Sequence, residues 1–192
     1  MTEMTSYERV MTALNHQEPD RVPMAIGGGP YGIVDPLYFE MLKYFDLGEP
    51  VEPFRSGHTI NYMDDRVLEK LGGDIRYVWM NGSPTSPHYP TDDPEIFLDE
   101  FKQPWKRTYP YYSAVDGILA EAKTIDDIDK MVNWPDPVDP KWVQGVRERA
   151  KYLKEETDYF VSARMVMSHG IYQMACDLRN MDKFMIDMAL DK

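Results

Sequence analysis

Cysteine is almost missing from this chain: among 192 residues, Cys176 stands alone. One thiol excludes an internal disulfide framework and suits a reducing compartment. Long apolar runs are missing too. None approaches the ~18 residues of a membrane span, and the polar N-terminus has no signal-peptide core. Positive charge is scarce: 21 Lys and Arg face 33 Asp and Glu, a formal net charge of −12. That balance argues against nucleic acid and anionic membrane surfaces as partners and fits a cytoplasmic protein. There is no internal repeat, no low-complexity tract, and no His-x-Cys or Cys-x-x-Cys pair. Methionine, by contrast, is plentiful at 14 residues, which suits adaptable packing of a core or a pliable pocket wall.

The stretch around which the rest is arranged is Arg21-Val22-Pro23-Met24-Ala25-Ile26-Gly27-Gly28-Gly29-Pro30-Tyr31-Gly32. Val22–Ile26 reads as a short buried strand, with Pro23 near its start, where a ladder hydrogen bond is not required. The continuous apolar run predicts a parallel strand covered on both faces. It ends in a glycine-rich tip, where backbone can approach a ligand without a Cβ in the way. Gly27-x-Gly29-x-x-Gly32 formally matches the dinucleotide fingerprint. Pro30 stands where the helix should begin, however, and no acidic residue closes a second strand about 20 positions on. The tip reads as a turn at the mouth of a site.

Elsewhere helical and extended signals alternate. Thr5 and Glu8 form a capping box, and Tyr7, Val10, Met11 and Leu14 share one face of the helix that follows. Asp35-Pro36 starts a second helix with Leu37, Tyr38, Met41, Leu42 and Phe45 inward. A third spans Asp64 to Leu71. Asp74–Met80 is the second predicted strand and ends at Asn81-Gly82-Ser83-Pro84. Pro84 to Pro110 carries Phe101, Trp105 and the Tyr109–Tyr112 aromatics, an added hairpin or extended arm. Thr124 caps a short helix. Asp139-Pro140 starts a longer one with Trp142, Val143, Val146, Ala150 and Leu153 on one face. Tyr159–Val166 is the third predicted strand, tipped by Ser168-His169-Gly170, and two helices follow. Strands alternating with helices predict an α/β fold with a parallel sheet built from βαβ crossovers. Three strands leave such a sheet open at both edges, and the last helix has no C-cap signal. The expectation is the N-terminal part of a longer α/β protein.

Taken in order, several pieces resemble the uroporphyrinogen decarboxylase superfamily. They are Tyr7-Glu8-Arg9-Val10 with Ala13-Leu14, Pro19-Asp20-Arg21-Val22-Pro23, and Asp65-Arg66-Val67-Leu68-Glu69-Lys70-Leu71-Gly72-Gly73-Asp74-Ile75-Arg76-Tyr77. Asp99-Glu100-Phe101, Trp105-Lys106-Arg107, Trp134-Pro135-Asp136-Pro137 and Leu178-Arg179-Asn180-Met181 continue the series. The resemblance implies an incomplete TIM (β/α)8 barrel: residues 1–192 as the N-terminal part of one barrel domain, with about three βα units, an extra N-terminal helix and an aromatic arm. It offers two activities. One branch decarboxylates uroporphyrinogen, in porphyrin and heme synthesis, and carries an Arg-Gln-Ala-Gly-Arg motif in its first-strand loop and an Asp after its second strand. This chain has Ala25-Ile26-Gly27-Gly28-Gly29-Pro30 and Trp79-Met80-Asn81-Gly82 there. The other branch consists of zinc-dependent methyltransferases acting with a corrinoid (methylcobalamin) protein. Its zinc ligands, a His-x-Cys and a later Cys, would lie beyond Lys192. The methyltransferase branch is favoured by what is missing from the decarboxylase pattern, and a piece without the zinc site is expected to be inactive. A non-catalytic remnant that only binds is the third reading.

Barrel chemistry sits at the C-terminal strand ends. That selects Gly28, Gly29 and Tyr31 at the first tip, Asn81 at the second, and Arg164, His169 and Tyr172 at the third, as contacts for a small-molecule or tetrapyrrole substrate. Arg164 is either paired with an inner carboxylate or poised for an anionic substrate group, because a lone charge there is costly. His169 is either an acid/base or ligand-facing residue, by its near-neutral titration, or a locally bonded loop histidine. Tyr172 lines the mouth or packs a helix. His16 reads as a solvated loop residue. His58 with Asp64 or Asp65 has no metal-ligand spacing. Cys176 reads as an inert core thiol, and Trp105, Tyr109, Tyr111 and Tyr112 either cover a planar tetrapyrrole or pad a face.

Overall fold

The computed structural model describes residues 3–27, 32–54, 59–80, 89–99, 101–108, 111–132, 134, 136–164 and 170–190. It is a mixed α/β structure with two compact units. The first comprises Met1–Ser56, Ile60–Asn81 and Val143–Val166, and the second Gly57–Thr59, Gly82–Trp142 and Met167–Lys192. Among the described residues no helix is long and apolar enough to cross a membrane.

The first unit begins with α1 (Ser6–Leu14). Its capping box forms as the sequence predicts, with Thr5 accepting from Glu8 N–H and Glu8 accepting from Thr5 N–H. The inward face differs from the expected stripe. Val10 and Arg9 are buried, while Tyr7 and Leu14 are exposed. α2 (Asp35–Tyr44) starts with Pro in its first turn and buries Tyr38 and Leu42. Asp35 is not its N-cap. Val34 holds that position, and the Asp35 carboxylate instead accepts from the backbone and side-chain amides of Asn61 at 2.8 and 2.6 Å. α3 (Asp65–Lys70) is capped by Asp64 and buries Val67 and Leu68.

Two parallel strands follow from the chain's alternation. β1 (Ile75–Val78) pairs with Phe160–Ala163 in the register Ile75↔Phe160 to Val78↔Ala163. The connection includes a 3-10 turn (Pro140–Val143) and an α-helix (Val146–Glu156) that packs on both strands. That helix was expected to run unbroken from Asp139-Pro140. Instead the chain breaks at Gly145, which adopts φ +78 at the N-cap, so the apolar face restarts at Val146. Leu153 from this face is 1% exposed.

Val22–Ile26 is a correction. It is extended but not a strand. Its one backbone bond to a neighbour among the described residues runs from Asp74 N–H to Met24 O, at 2.9 Å. The next ladder position is lost because Met24 N–H donates to the Asp74 carboxylate, not to a carbonyl. Nor is it covered on both faces: Val22 is 81% exposed and Met24 44%. The core of this unit lies behind it, in two clusters. Tyr38, Leu42 and Val67 form one, and Met63, Leu68 and Tyr77 the other, with Ile26, Phe54 and Trp79 packed on the second.

Tyr38 ties the first cluster to polar partners. Its hydroxyl donates to Asp64 Oδ2 at 2.9 Å and accepts from Val51 N–H at 3.1 Å. Burial pushes the phenol up to about 12, so it stays a donor at ordinary pH. Tyr38→Phe keeps the ring but strands the Val51 amide and removes one donor from buried Asp64. A loss of about 1–3 kcal/mol in urea denaturation is expected. An unchanged midpoint would show that these bonds carry no net stability.

In the second unit the predicted arm is a larger element than a hairpin. β2 (Tyr89–Pro90), β3 (Ile96–Leu98), β4 (Pro104–Thr108) and β5 (Tyr111–Ala114) form an antiparallel sheet in chain order. α4 (Ile125–Met131) carries a second capping box, Thr124 with Asp127. The crossover helix and its following strand are therefore α5 (Val146–Glu156) and β6 (Phe160–Ala163). α6 (Gly170–Arg179) and α7 (Met181–Leu190) pack together and meet at Asn180, which adopts φ +67. Leu119, Ala122 and Val132 form the core, with Phe101, Ile128 and Leu178 against them.

Candidate functional site

The two ends of the β1–β6 pair have opposite chemistry. At the N-terminal end Asp74, Arg9, Asp20 and Arg21 pair with one another. Asp74, fully buried, accepts from Ser6 Oγ at 2.9 Å, Arg9 Nη1 at 2.6 Å, Arg21 Nη1 and Nη2 at 2.7 and 2.8 Å, and Met24 N–H at 2.8 Å. Arg9, 3% exposed, also grips Asp20 with Nε and Nη2 at 2.6 and 2.8 Å and donates to Met4 O. Burial works to raise the Asp74 carboxyl, but these donors outweigh it and hold it below its usual range. Hydrogen bonding to Arg9 and Met4 holds Asp20 well below the usual carboxylate range, and the Arg9 guanidinium is raised in turn. Such a closed network stabilises the fold; it offers no free group for chemistry.

At the C-terminal end the balance reverses. Arg164 follows β6 directly, and its N–H donates to Val78 O at 2.7 Å, which fixes it beside the last residue of β1. Among the described residues its Nε, shielded from solvent, has no hydrogen-bond partner, as is also true of Arg76 Nε. Among the described residues no carboxylate forms an ion pair with Arg164. The guanidinium lies 5.0 Å from the Phe54 ring centroid, and Phe54 sits 5.4 Å from Trp79. Burial lowers its pKa from the ordinary arginine value, yet arginine remains charged. Of the two sequence alternatives for Arg164, the described structure contains no inner carboxylate partner.

Arg149 completes this end and was not singled out from the sequence. Its Nε donates to Tyr77 O at 2.7 Å, its Nη2 meets Asp65 Oδ1 at 3.0 Å, and its Cζ lies 4.4 Å from the Trp79 centroid. The signal was present: Arg149 falls on the same helical stripe as Val146, Ala150 and Leu153. Gly27, beside this cluster, has φ +97, and an added Cβ would meet Met63 Sδ at 2.9 Å. A cavity of about 10 Å³ touches Gly27, Met63 and Tyr38, room for about one water molecule.

No family model, no curated protein and no solved structure matches the chain. The remaining candidates divide by position. Gly28, Gly29, Tyr31, Asn81 and His169 lie outside the described residues, as do His58 and Tyr109. Tyr172 belongs to the second unit; it is half-exposed, donates to Met185 Sδ at 3.2 Å and packs on Phe184. Cys176 is buried on α6. Trp105 donates to Asp99 at 2.8 Å, Tyr112 packs edge-on against Phe97, and Tyr111 is exposed. Asp64 and Asp65 are engaged with Tyr38 and Arg66, and with Arg76 and Arg149, respectively. Among the described residues no three His, Cys, Asp or Glu side chains converge as a metal site. No zinc ligands are therefore assigned.

Proposed function

We propose that the chain is the N-terminal part of a uroporphyrinogen decarboxylase-like (β/α)8 barrel, and that the whole barrel is a cytoplasmic, zinc-dependent methyltransferase served by a corrinoid protein. One observation carries the family reading. The motif residues Arg9, Asp20, Arg21 and Asp74 come from three separated stretches, and they meet on one another where β1 begins. The parallel β1–β6 pair, with α5 packed on it, is the expected βα unit. Stabilising residues at the N-terminal strand ends and reactive ones at the C-terminal ends are the division of labour of such barrels. The methyltransferase branch rests on the missing arginines at the Gly27–Gly29 tip.

The decarboxylase remains the second reading, because Arg164 supplies a cation at the strand ends by another route. A longer polypeptide that completes the barrel is expected to hold about one zinc per chain and to methylate cob(I)alamin. Release of coproporphyrinogen from uroporphyrinogen, without zinc, would overturn the methyltransferase reading in favour of the decarboxylase. Neither activity would leave the binding remnant. Residues 1–192 alone are expected to turn over neither substrate, and measurable turnover by them would contradict the account.

A further inference from the structure

We propose that Arg164, lying over the ring of Phe54, which in turn packs on Trp79, is the anchor of a subsite for an organic monocarboxylate. The proposal deepens the functional reading by naming a ligand class at the same strand ends, and it rests on taking those ends as the mouth of a site. What sets Arg164 apart from the other shielded arginines is the lack of a carboxylate among the described residues, since Arg76 Nε also has no hydrogen-bond partner there. Arg9 has Asp20 and Asp74. Arg76 lies on the Tyr159 ring with Asp65 at 3.7 Å and donates to Gly73 O. Arg149 has Asp65 and Tyr77 O. Among the described residues Arg164 has the Phe54 ring face and no carboxylate, and its Nε is shielded without an acceptor.

The chain segments that carry these residues are poor in acid. Stretches 22–34, 53–63, 75–91 and 159–176 contain no Asp or Glu, in a chain with 33 of them. These stretches include Gly27, Phe54, Trp79 and Arg164. The carboxylate that does reach this end, Asp65, is held by Arg149 and Arg76.

The ligand class follows from shape and charge. A guanidinium edge matches a carboxylate through two parallel N–H···O bonds. One guanidinium balances one negative charge, whereas a phosphate dianion calls for a second free cation. Arg149, the nearest candidate, is already committed to Asp65. Phe54 and Trp79 offer apolar ring surface, which suits a carboxylate with a flat or apolar body.

The test is calorimetric titration of the 192-residue chain at pH 7 with phenylacetate, phenylacetamide and inorganic phosphate. Phenylacetate is expected to bind saturably, with the neutral amide and phosphate each weaker by about tenfold or more. Arg164→Gln is expected to remain folded and to lose phenylacetate by about tenfold or more, Arg164→Lys to fall between, since it keeps charge without the fork. Lys43→Gln, an exposed control, is expected to bind like the parent chain. Equal binding of acid and amide, tighter binding of phosphate, parent-like binding by Arg164→Gln, or unfolding of that variant would each overturn the proposal. The readout needs no zinc, corrinoid or methyl transfer, so a failed methyltransferase assay leaves it standing, and its own failure leaves the barrel reading untouched.

Discussion

Asp74→Asn is expected to cost about 3–5 kcal/mol, the usual penalty for breaking a buried charge network by removing one partner. Chain stabilities commonly total about 5–15 kcal/mol, so this single amide could remove most of what holds the protein folded. Asp74 is the point at which three segments meet: Ser6 and Arg9 of α1, the Arg21–Met24 stretch, and the start of β1. Asparagine keeps the shape but replaces one acceptor oxygen with an NH2 donor that faces other donors. It also removes one of the two carboxylates on Arg9, which is too deeply buried to recover water and keeps only Asp20. Arg21 is 43% exposed and can turn outward. The damage therefore falls on Arg9 and the Met24 amide. Urea denaturation of the parent and variant measures it.

The same network fixes the direction of the pH response. Asp20, Asp64 and Asp74 have folded-state pKa values below their ordinary ones. For such groups the stabilisation is fully present above the unfolded carboxylate pKa, about 4. It is lost as pH falls through the lower folded values. The melting temperature should hold on the neutral side and drop steeply below about pH 4. Asp74→Asn should melt lower at neutral pH and show a shallower acid slope, since one of the protonating groups is gone. A slope identical to the parent's would mean that Asp74 is not linked to folding.

Gly117→Ala is expected to be the most damaging change in the second unit, at about 3 kcal/mol. An added Cβ would lie 2.6 Å from the Leu178 carbonyl carbon and 2.8 Å from Asn180 N. Both are backbone atoms at the α6–α7 junction and cannot rotate away. The junction is held by Gly117 N–H to Asn180 Oδ1 at 2.6 Å, Leu119 N–H to Leu178 O at 2.7 Å, and Arg179 Nη1 to Ala122 O at 2.8 Å. Separating Gly117 from Asn180 loosens all three. Thermal melting gives the size of the loss. Hydrogen exchange should show faster exchange at 118–122 and in α7. Parent-like protection there would show that the junction absorbs the methyl group.

Local signals were legible in the sequence because they depend on residues a few positions apart. The Thr5–Glu8 capping box formed as read and Thr124 capped its helix, and the helices at α1–α4, α6 and α7 and the strands at β1 and β6 also formed. What failed depended on distant neighbours. Val22–Ile26 has strand-like composition, but a strand needs a ladder, and Asp74 takes one of its bonds with a side chain. The apolar spacing across Trp142 to Leu153 suggested one helix, because periodicity does not register a backbone reversal at Gly145. The four strands of the antiparallel sheet are two to five residues long and include prolines, too short for a period-2 pattern to assert itself. The burial of Arg9 was not read from the sequence; only Asp20 and Asp74, from elsewhere, make it tolerable. For Arg164 the sequence showed a cation at a strand end but not whether a carboxylate reached it.

The β1–β6 pair has one end built for stability and, in the proposal above, another that keeps a cation in reserve. Arg164→Met tests that division most directly, compared with the parent chain by its urea midpoint in the absence of added carboxylate. Replacing a shielded, unmatched guanidinium with an apolar side chain of similar length should leave the midpoint unchanged or raise it. A midpoint that falls as it does for Asp74→Asn would show that Arg164 belongs to the structural framework, and the account of the strand ends as a binding mouth would be wrong.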